Sequence, residues 1–390
     1  MAINLTNADN ALKSVYLGVI AEQLNLGANP FLAAIEKNSN DVYGNEVRQL
    51  VSFGVNGGIG AGTEDGNLPS AAGNNYKQFV STLKNLYGVI EISDKAIRAS
   101  ETNSGAFVNL LNAEMEGLIK SSRYNLGRML FGDGSGELAT VSVVDSNIVV
   151  ASSCQNLVEG MVVDFIDGDG NVVENASGKR ISAMDRETCI IKVEGLNHAD
   201  IAVNYKIVMQ GSYNKEITGL KKIFDKKTTS LYGLDVATNA WLKPYRRESV
   251  GALDEITLQT AIDNIEDSSG NGVNFIMCSY GVRRAFQSFL SSQGNRVNTM
   301  ELAGGYKALS YNGIPVVADK FCPSGTMYLL NTNDFCLHQL CDWQWLTDDD
   351  GKALKQVPGK PVYTATLVKY AELICSNPIG QGILTGIMEC

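Results

Sequence analysis

Residues 46–84 read EVRQLVSFGVNGGIGAGTEDGNLPSAAGNNYKQFVSTLK. The two ends, EVRQLVSF at 46–53 and YKQFVSTLK at 76–84, carry the alternation and the aromatic and β-branched residues of strands. Between them lie 22 residues, 54–75, with seven glycines and one proline. A loop of that length without structure of its own is uncommon inside a compact domain and is usually functional. Strands of eight or nine residues reach about 25–30 Å at roughly 3.3 Å per residue. The spacing therefore predicts a long projecting hairpin.

The tip of this hairpin, GVNGGIGAGTEDG at 54–66, comes close to a phosphate-binding loop. Such a loop needs a lysine followed by a helix whose N-terminus faces the phosphate. Thr63 stands where the lysine belongs, and the Gly- and Pro-containing run after it cannot form a helix. The dinucleotide pattern fails as well, because Gly58 and Gly60 would need a glycine at 63. A flexible exposed tip explains the glycines better, since glycine adopts backbone angles that other residues resist.

Working outward, Leu12, Val15, Tyr16, Ile20 and Leu24 recur at helical spacing over residues 8–26, up to a break at Pro30. An apolar stripe on one short helix cannot form a core alone, so this segment reads as an arm that packs on something else. After the hairpin comes a helical signal from Ser104 to Phe131. Its stripe holds Phe107, Leu110, Leu111, Met115, Leu118, Ile119, Leu126, Met129 and Leu130. At 1.5 Å per residue it would be about 40 Å long. Residues 138–215 then change character, with short β-type runs between turns and no convincing helix. They predict a small inserted barrel or sandwich. From 252 onward helix and strand mix again, giving an α+β or α/β block built in layers.

Composition narrows the function. With 390 residues the chain is long enough for two or three modules. It has 32 Lys+Arg against 42 Asp+Glu, a formal net charge of -10, which argues against a protein whose main task is gripping nucleic acid. The eight cysteines include no CxxC pair and read as free thiols in a reducing compartment. The start, MAINLTNADNALKS, lacks the charge and apolar run of a signal peptide, and no apolar run suggests a membrane span.

No chemical motif survives weighing. Asp167, Asp169 and Asn171 resemble the opening of a calcium loop, but Val172 occupies the turn position that needs glycine and Glu174 comes too early to close it. A hairpin turn explains the run better. Cys336, His338 and Cys341 have zinc-ligand chemistry but lie in an apolar strand-like run without a fourth ligand. Asp348–Asp350 precede a glycine, as in a solvated turn. With two histidines, no GxSxG and no HExxH, the chain offers no catalytic constellation; no catalytic residue, metal or cofactor is assigned.

The order of pieces has a match. Arm helix, projecting hairpin, long helix, β insertion, mixed block and returning strand together resemble the major capsid proteins of tailed bacteriophages, which have the Hong Kong 97-type fold. The likeness in sequence is best at TLQTAIDNIEDSSGNGVNFIMCSYGVRRAFQSFL (257–290) and YNGIPVVADKFCPSGTMYLLNTNDF (311–335). These look like the helix–strand–helix of the family's axial domain and the strands that follow it.

The resemblance implies an α+β Hong Kong 97-like capsid fold. Its parts would be an N-terminal arm at 1–40, an extended loop at 41–88 and a peripheral domain with its spine helix at 89–137. An inserted β domain would span 138–215, with a peripheral-domain connection at 216–250. The axial domain would take 251–345, and the closing strand and C-terminus 346–390. It implies a structural protein, not an enzyme, that self-assembles through pentamers and hexamers into an icosahedral or prolate head. That head would enclose double-stranded DNA without sequence-specific binding and assemble in the host bacterial cytoplasm. Scaffolding, portal and decoration proteins are the implied partners, with scaffolding a separate protein or already removed. Candidate inter-subunit contacts are Leu12, Val15, Tyr16 and Ile20 in the arm, and Gly57, Gly58, Gly60, Gly62 and Phe79 in the hairpin. Three rivals compete with this reading: an encapsulin-like nanocompartment shell, an enzyme with a mobile glycine-rich lid at 54–75, and a β-rich binding module at 138–215.

Overall fold

The structure, a computed structural model, describes residues 29–95, 104–145, 148–292, 299–302, 306–347 and 353–390, with no side chains for 104–113, 292, 299–302, 306 and 307. The apolar stripe at Leu12, Val15, Tyr16 and Ile20 lies outside the described residues, as does Asp348–Asp350.

The central element is the 14-residue strand Val362–Cys375. Along one edge it pairs antiparallel with Lys84–Ser93, from Val362 opposite Ser93 to Ala371 opposite Lys84. Along the other it pairs with Phe335–Trp345 and with the short strand Lys355–Gln356. Lys84–Ser93 alternates strictly, and Leu86, Gly88, Ile90 and Ile92 turn inward. The 28-residue helix Ser104–Phe131 packs on this face. Gly88 makes the close approach possible: a Cβ there would lie 2.9 Å from Leu118 Cδ1 and 3.3 Å from Ser122 Oγ.

Two features differ from the sequence expectation. Phe335–Trp345, read with the 251–345 block, belongs to the sheet of the closing strand. Strand partners are chosen across the chain, and a local pattern carries no sign of them. Pro30 starts a structure rather than only ending one. It opens a short helix, Pro30–Ala34, whose first N–H groups are capped by Asn29 Oδ1, 2.9 Å from Phe31 N and 3.2 Å from Leu32 N. Phe31 is buried edge-on against Phe335, and Glu36–Asn38 pairs parallel with Cys336–His338. Residues 29–38 are thus fastened to the body of the subunit.

A second, seven-stranded sheet runs in the order 245–247, 382–384, 327–330, 275–278, 314–318, 306–311, 299–302. Its central strands are buried on both faces, so alternate residues enter different cores. Phe275, Met277, Tyr328 and Leu330 join the main core, whereas Ile276, Cys278, Met327 and Leu329 pack in a second core that includes residues of the helices Glu255–Ser269 and Tyr280–Ser292. The first of these helices has both ends written in its sequence. Asp254 accepts from Thr257 N at 2.6 Å, and Gly270 closes the helix in the left-handed region at φ 69°.

Between the long helix and the rest, strands 137–145, 148–151, 162–166, 179–184, 190–193 and 206–209 close into a six-stranded barrel. It has its own core, including Leu138, Val141, Val149, Leu157, Val163, Phe165, Ile181, Ile191 and Ile207. Its two ends meet: Asn214 N donates to Ser135 O at 2.9 Å, and Glu216 N to Gly134 O at 3.3 Å. Gly136 is needed at this junction, because a Cβ would lie 2.8 Å from Ser212 O. Away from the junction, Gln155 Nε2 ties the barrel to the body through Lys320 O and Cys322 O, at 2.8 and 2.9 Å.

Candidate assembly surface

Glu46–Phe53 and Asn75–Thr82 pair in full register, from Glu46 opposite Thr82 to Phe53 opposite Asn75. A third short strand, Val42–Tyr43, flanks them. One face of the hairpin base is clamped to the body. Phe53 and Phe79 both stack on Trp241, at centroid distances of 5.0 and 5.7 Å and interplanar angles of 8° and 7°. Phe79 also meets Tyr232 at 5.1 Å, and Val80 N donates to Tyr232 O at 3.0 Å.

This clamp corrects one expectation. Phe79 was a candidate contact to a neighbouring subunit, yet it is 0% exposed and faces Trp241 and Tyr232 of its own chain. It holds the hairpin to the body. Trp241 lies in the run TNAWLKP, where nothing local signals that role.

Beyond the clamp the loop turns outward. Gly57, Gly58, Gly60 and Gly62 all have ordinary backbone angles; in the tip only Gly54 has a positive φ, 65°. At Gly58 and Gly60 smallness serves close approach instead. A Cβ on Gly58 would stand 3.2 Å from Ala72 N, and one on Gly60 would stand 3.1 Å from Pro69 Cγ. The two arms of the loop therefore run side by side. Asparagines join them: Asn56 Nδ2 donates to Asn74 Oδ1 at 2.9 Å, and Asn75 Nδ2 to Val55 O at 3.3 Å.

The tip carries apolar side chains with nothing over them. Ile59 is 80% exposed and Leu68 90%, and Val55, Leu50 and Tyr76 are exposed nearby. Large apolar side chains left this exposed mark candidate contact surfaces. The sequence signal was available, as apolar residues set in a glycine-rich run, but it was outweighed by the glycines.

Beside the hairpin base is a groove of about 680 Å³ between residues 49–55, Trp241 and the end of helix Glu255–Ser269. Asp334 is the one titratable side chain among its described lining residues, and it accepts from Gln381 Nε2 at 2.9 Å. The motif candidates also resolve. Asp167 Oδ1 accepts from Asp169 N and Asn171 N at 3.0 and 2.8 Å, which closes a tight turn. His338 is buried, and burial lowers its pKa. Burial, aided by Glu36 and Asp41, pushes the Cys336 thiol up to about 11. Among the described residues no cluster of three or more His, Cys, Asp or Glu could hold a metal, and no helix is long and apolar enough to cross a membrane.

No family model matches the chain, and no curated protein matches it. Solved structures do. The capsid asymmetric unit of cyanophage A-1(L) superimposes with a TM-score of 0.57 at 10% identity, over 92% of this chain and 93% of that one. The chain has an α+β capsid fold. Two weaker likenesses are the capsid of a native GTA particle and the holo-SrpI encapsulin complex of Synechococcus elongatus PCC 7942. The first has a TM-score of 0.48 at 11% identity over 91% of this chain and 89% of that one. The second has 0.46 at 10% identity over 93% and 89%.

Proposed function

We propose that this chain is the major capsid protein of a tailed bacteriophage. In this reading it is a structural subunit, not an enzyme, and associates with copies of itself as pentamers and hexamers to form an icosahedral or prolate head around double-stranded DNA. Residues 1–40 act as the arm, the hairpin within 41–88 as the extended loop and Ser104–Phe131 as the spine helix. The two sheets serve as peripheral and axial domains, and the barrel as an insertion. Scaffolding and portal proteins, and decoration proteins where present, are its partners during assembly in the host cytoplasm, and the virion is its final location.

The observation that carries this reading is a capsid fold whose hairpin is clamped at its base and bare at its apolar tip. A thin shell is held by overlap between neighbours, and heterologous contacts that close by rotation give rings. Ile59, Leu68 and the glycines at 57, 58, 60 and 62 would lie across an adjacent subunit. Gly58 and Gly60 let the two arms of the loop run close together.

Expressing the chain alone or with its neighbouring scaffolding gene, followed by electron microscopy, tests the proposal. Uniform shells are the expected result. A monodisperse dimer or tetramer that never assembles would overturn it, and shells that enclose protein cargo in place of DNA would transfer the subunit to the nanocompartment class.

A further inference from the structure

Two of the eight cysteines lie beside a pair of neighbouring barrel strands. Cys154 follows strand 148–151, and Cys189 immediately precedes strand 190–193, its antiparallel neighbour in the barrel. Cys154 Sγ lies 3.3 Å from Arg186 O, in the turn that ends at Cys189, and the Cys189 thiol is near enough to help raise the Cys154 pKa. Both are half-buried, so a small solute can reach them.

The backbone around each sulfur is fixed. Ala151 N donates to Cys189 O at 2.9 Å, and Asp185 N to Ile190 O at 2.9 Å. Between them the turn 185–189 is closed by Asp185, which accepts from Glu187 N at 3.0 Å and Thr188 Oγ1 at 2.6 Å. Cys189 itself is held at φ 54°, a left-handed conformation unusual for a residue with a Cβ. On the other side Cys154 Sγ donates to Arg186 O at 3.3 Å, and Leu157 N donates to Cys154 O at 3.3 Å. Two further cysteines differ. Cys278 and Cys322 are buried in the body, and burial pushes the Cys278 thiol up to about 12, out of reach of exchange chemistry.

We propose that Cys154 and Cys189 are an oxidisable dithiol that closes to a disulfide at the mouth of the barrel, with a low-molecular-weight disulfide such as oxidised glutathione as oxidant. One cysteine thiolate attacks the small disulfide, forms a mixed disulfide and releases one small thiolate. The second cysteine thiolate then attacks the protein sulfur of that mixed disulfide, forms the S–S bond and expels the second small thiolate. Two cysteine protons are lost, and two electrons pass from the cysteines to the oxidant, which leaves as two thiols. Burial and the neighbouring Cys189 raise the Cys154 pKa, while Arg186 pulls it down, so exchange accelerates as the solution becomes alkaline. The resulting link closes the segment that includes strands 162–166 and 179–184 and restricts its unfolded state.

The test uses the full-length purified chain, folded, with oxidised glutathione or with dithiothreitol, followed by alkylation and peptide mapping. The expected product is one intramolecular link joining the peptides of Cys154 and Cys189, formed before any other pair and reversed by dithiothreitol. The barrel transition in thermal unfolding should rise by several degrees in the oxidised form. Cys154→Ser should stop at a mixed disulfide on Cys189. If both thiols of the wild-type chain remain alkylatable after oxidation, or if Cys336, Cys341 or Cys390 link first, the dithiol does not exist. The wild-type measurement decides the matter even where a variant fails to fold.

Discussion

Phe79 lies flat on Trp241, their ring centroids 5.7 Å apart and their planes within 7°. This contact joins the hairpin to a segment more than 150 residues further along the chain, between the barrel and the seven-stranded sheet. It separates two kinds of hairpin residue, those that hold the base and those that are left bare at the tip.

Phe79→Ala therefore removes a fully buried ring and leaves a cavity beside Trp241. Substitutions of this kind cost about 3–5 kcal/mol. Urea unfolding of dispersed subunits, read by tryptophan fluorescence, should show a loss of unfolding free energy of that size. A loss below about 1 kcal/mol would mean that the base is not clamped there.

Ile59→Ser and Leu68→Ser should behave in the opposite way. Both side chains are almost fully exposed, so subunit stability should change by no more than about 0.5 kcal/mol. Shell yield, measured by sedimentation, should fall markedly because the tip loses its apolar contacts. Removing residues 56–73 should abolish assembly and still leave a subunit with normal thermal unfolding. If that deletion unfolds the chain, the loop belongs to a core.

The barrel should be removable. Its start and end are joined by the hydrogen bond from Asn214 N to Ser135 O, and its core is separate from the main one. A chain in which a short Gly-Ser linker replaces 137–213 should retain the remaining secondary structure and unfold cooperatively, since domains whose ends meet at the surface tolerate excision. Circular dichroism and calorimetry check this. Loss of all cooperative unfolding would mean that the Gln155 contacts to Lys320 and Cys322 are essential to the body.

Much of this arrangement can be read from local sequence. Asp254 and Gly270 mark the ends of a helix, and the alternation in EVRQLVSF and YKQFVSTLK marks strands, because capping and period-two burial are local effects. The rest depends on contacts far apart in the chain. Nothing near Phe335–Trp345 tells that it joins Val362–Cys375 rather than the sheet before it. Nothing near Phe79 tells that its partner is Trp241. The tip glycines were legible as glycines, but their purpose, clearance against Ala72 and Pro69, appears only once the two arms of the loop are set side by side.

Arg128 and Glu216 form a buried ion pair between the long helix and the end of the barrel insertion, and Asn125 Oδ1 supports the guanidinium at 2.6 Å. Arg128→Met alone leaves a buried carboxylate without its cation and should cost about 3–5 kcal/mol. The double variant Arg128→Met, Glu216→Leu should be more stable than either single one. Chemical denaturation of the three variants gives the coupling; additive losses would show that the two side chains act independently.

Glu372 supplies the pH prediction. It is 0% exposed; Oε1 accepts from Thr218 N at 2.8 Å, while Oε2 is buried without a partner. Burial raises its pKa from 4.5 to about 7, against smaller opposing effects from Thr218 and Lys84. Below pH 4.5 the folded and unfolded chains both carry the proton, and the group is neutral toward stability. Between 4.5 and 7 the unfolded chain has released the proton and the folded chain retains it, so stability falls as pH rises and levels off above 7. The total is on the order of 3 kcal/mol. Asp319, raised to about 6 chiefly by burial, slopes the same way over a lower range, whereas His338, lowered by burial, slopes the other way below its usual value. Comparison with Glu372→Gln isolates the carboxylate, because the amide keeps the acceptor for Thr218 and cannot ionise. Unfolding curves of the two proteins should diverge as pH rises from 5 to 8, with the Gln variant relatively more stable at the alkaline end. Parallel pH dependences would show that Glu372 ionises in the folded protein as easily as in the unfolded chain.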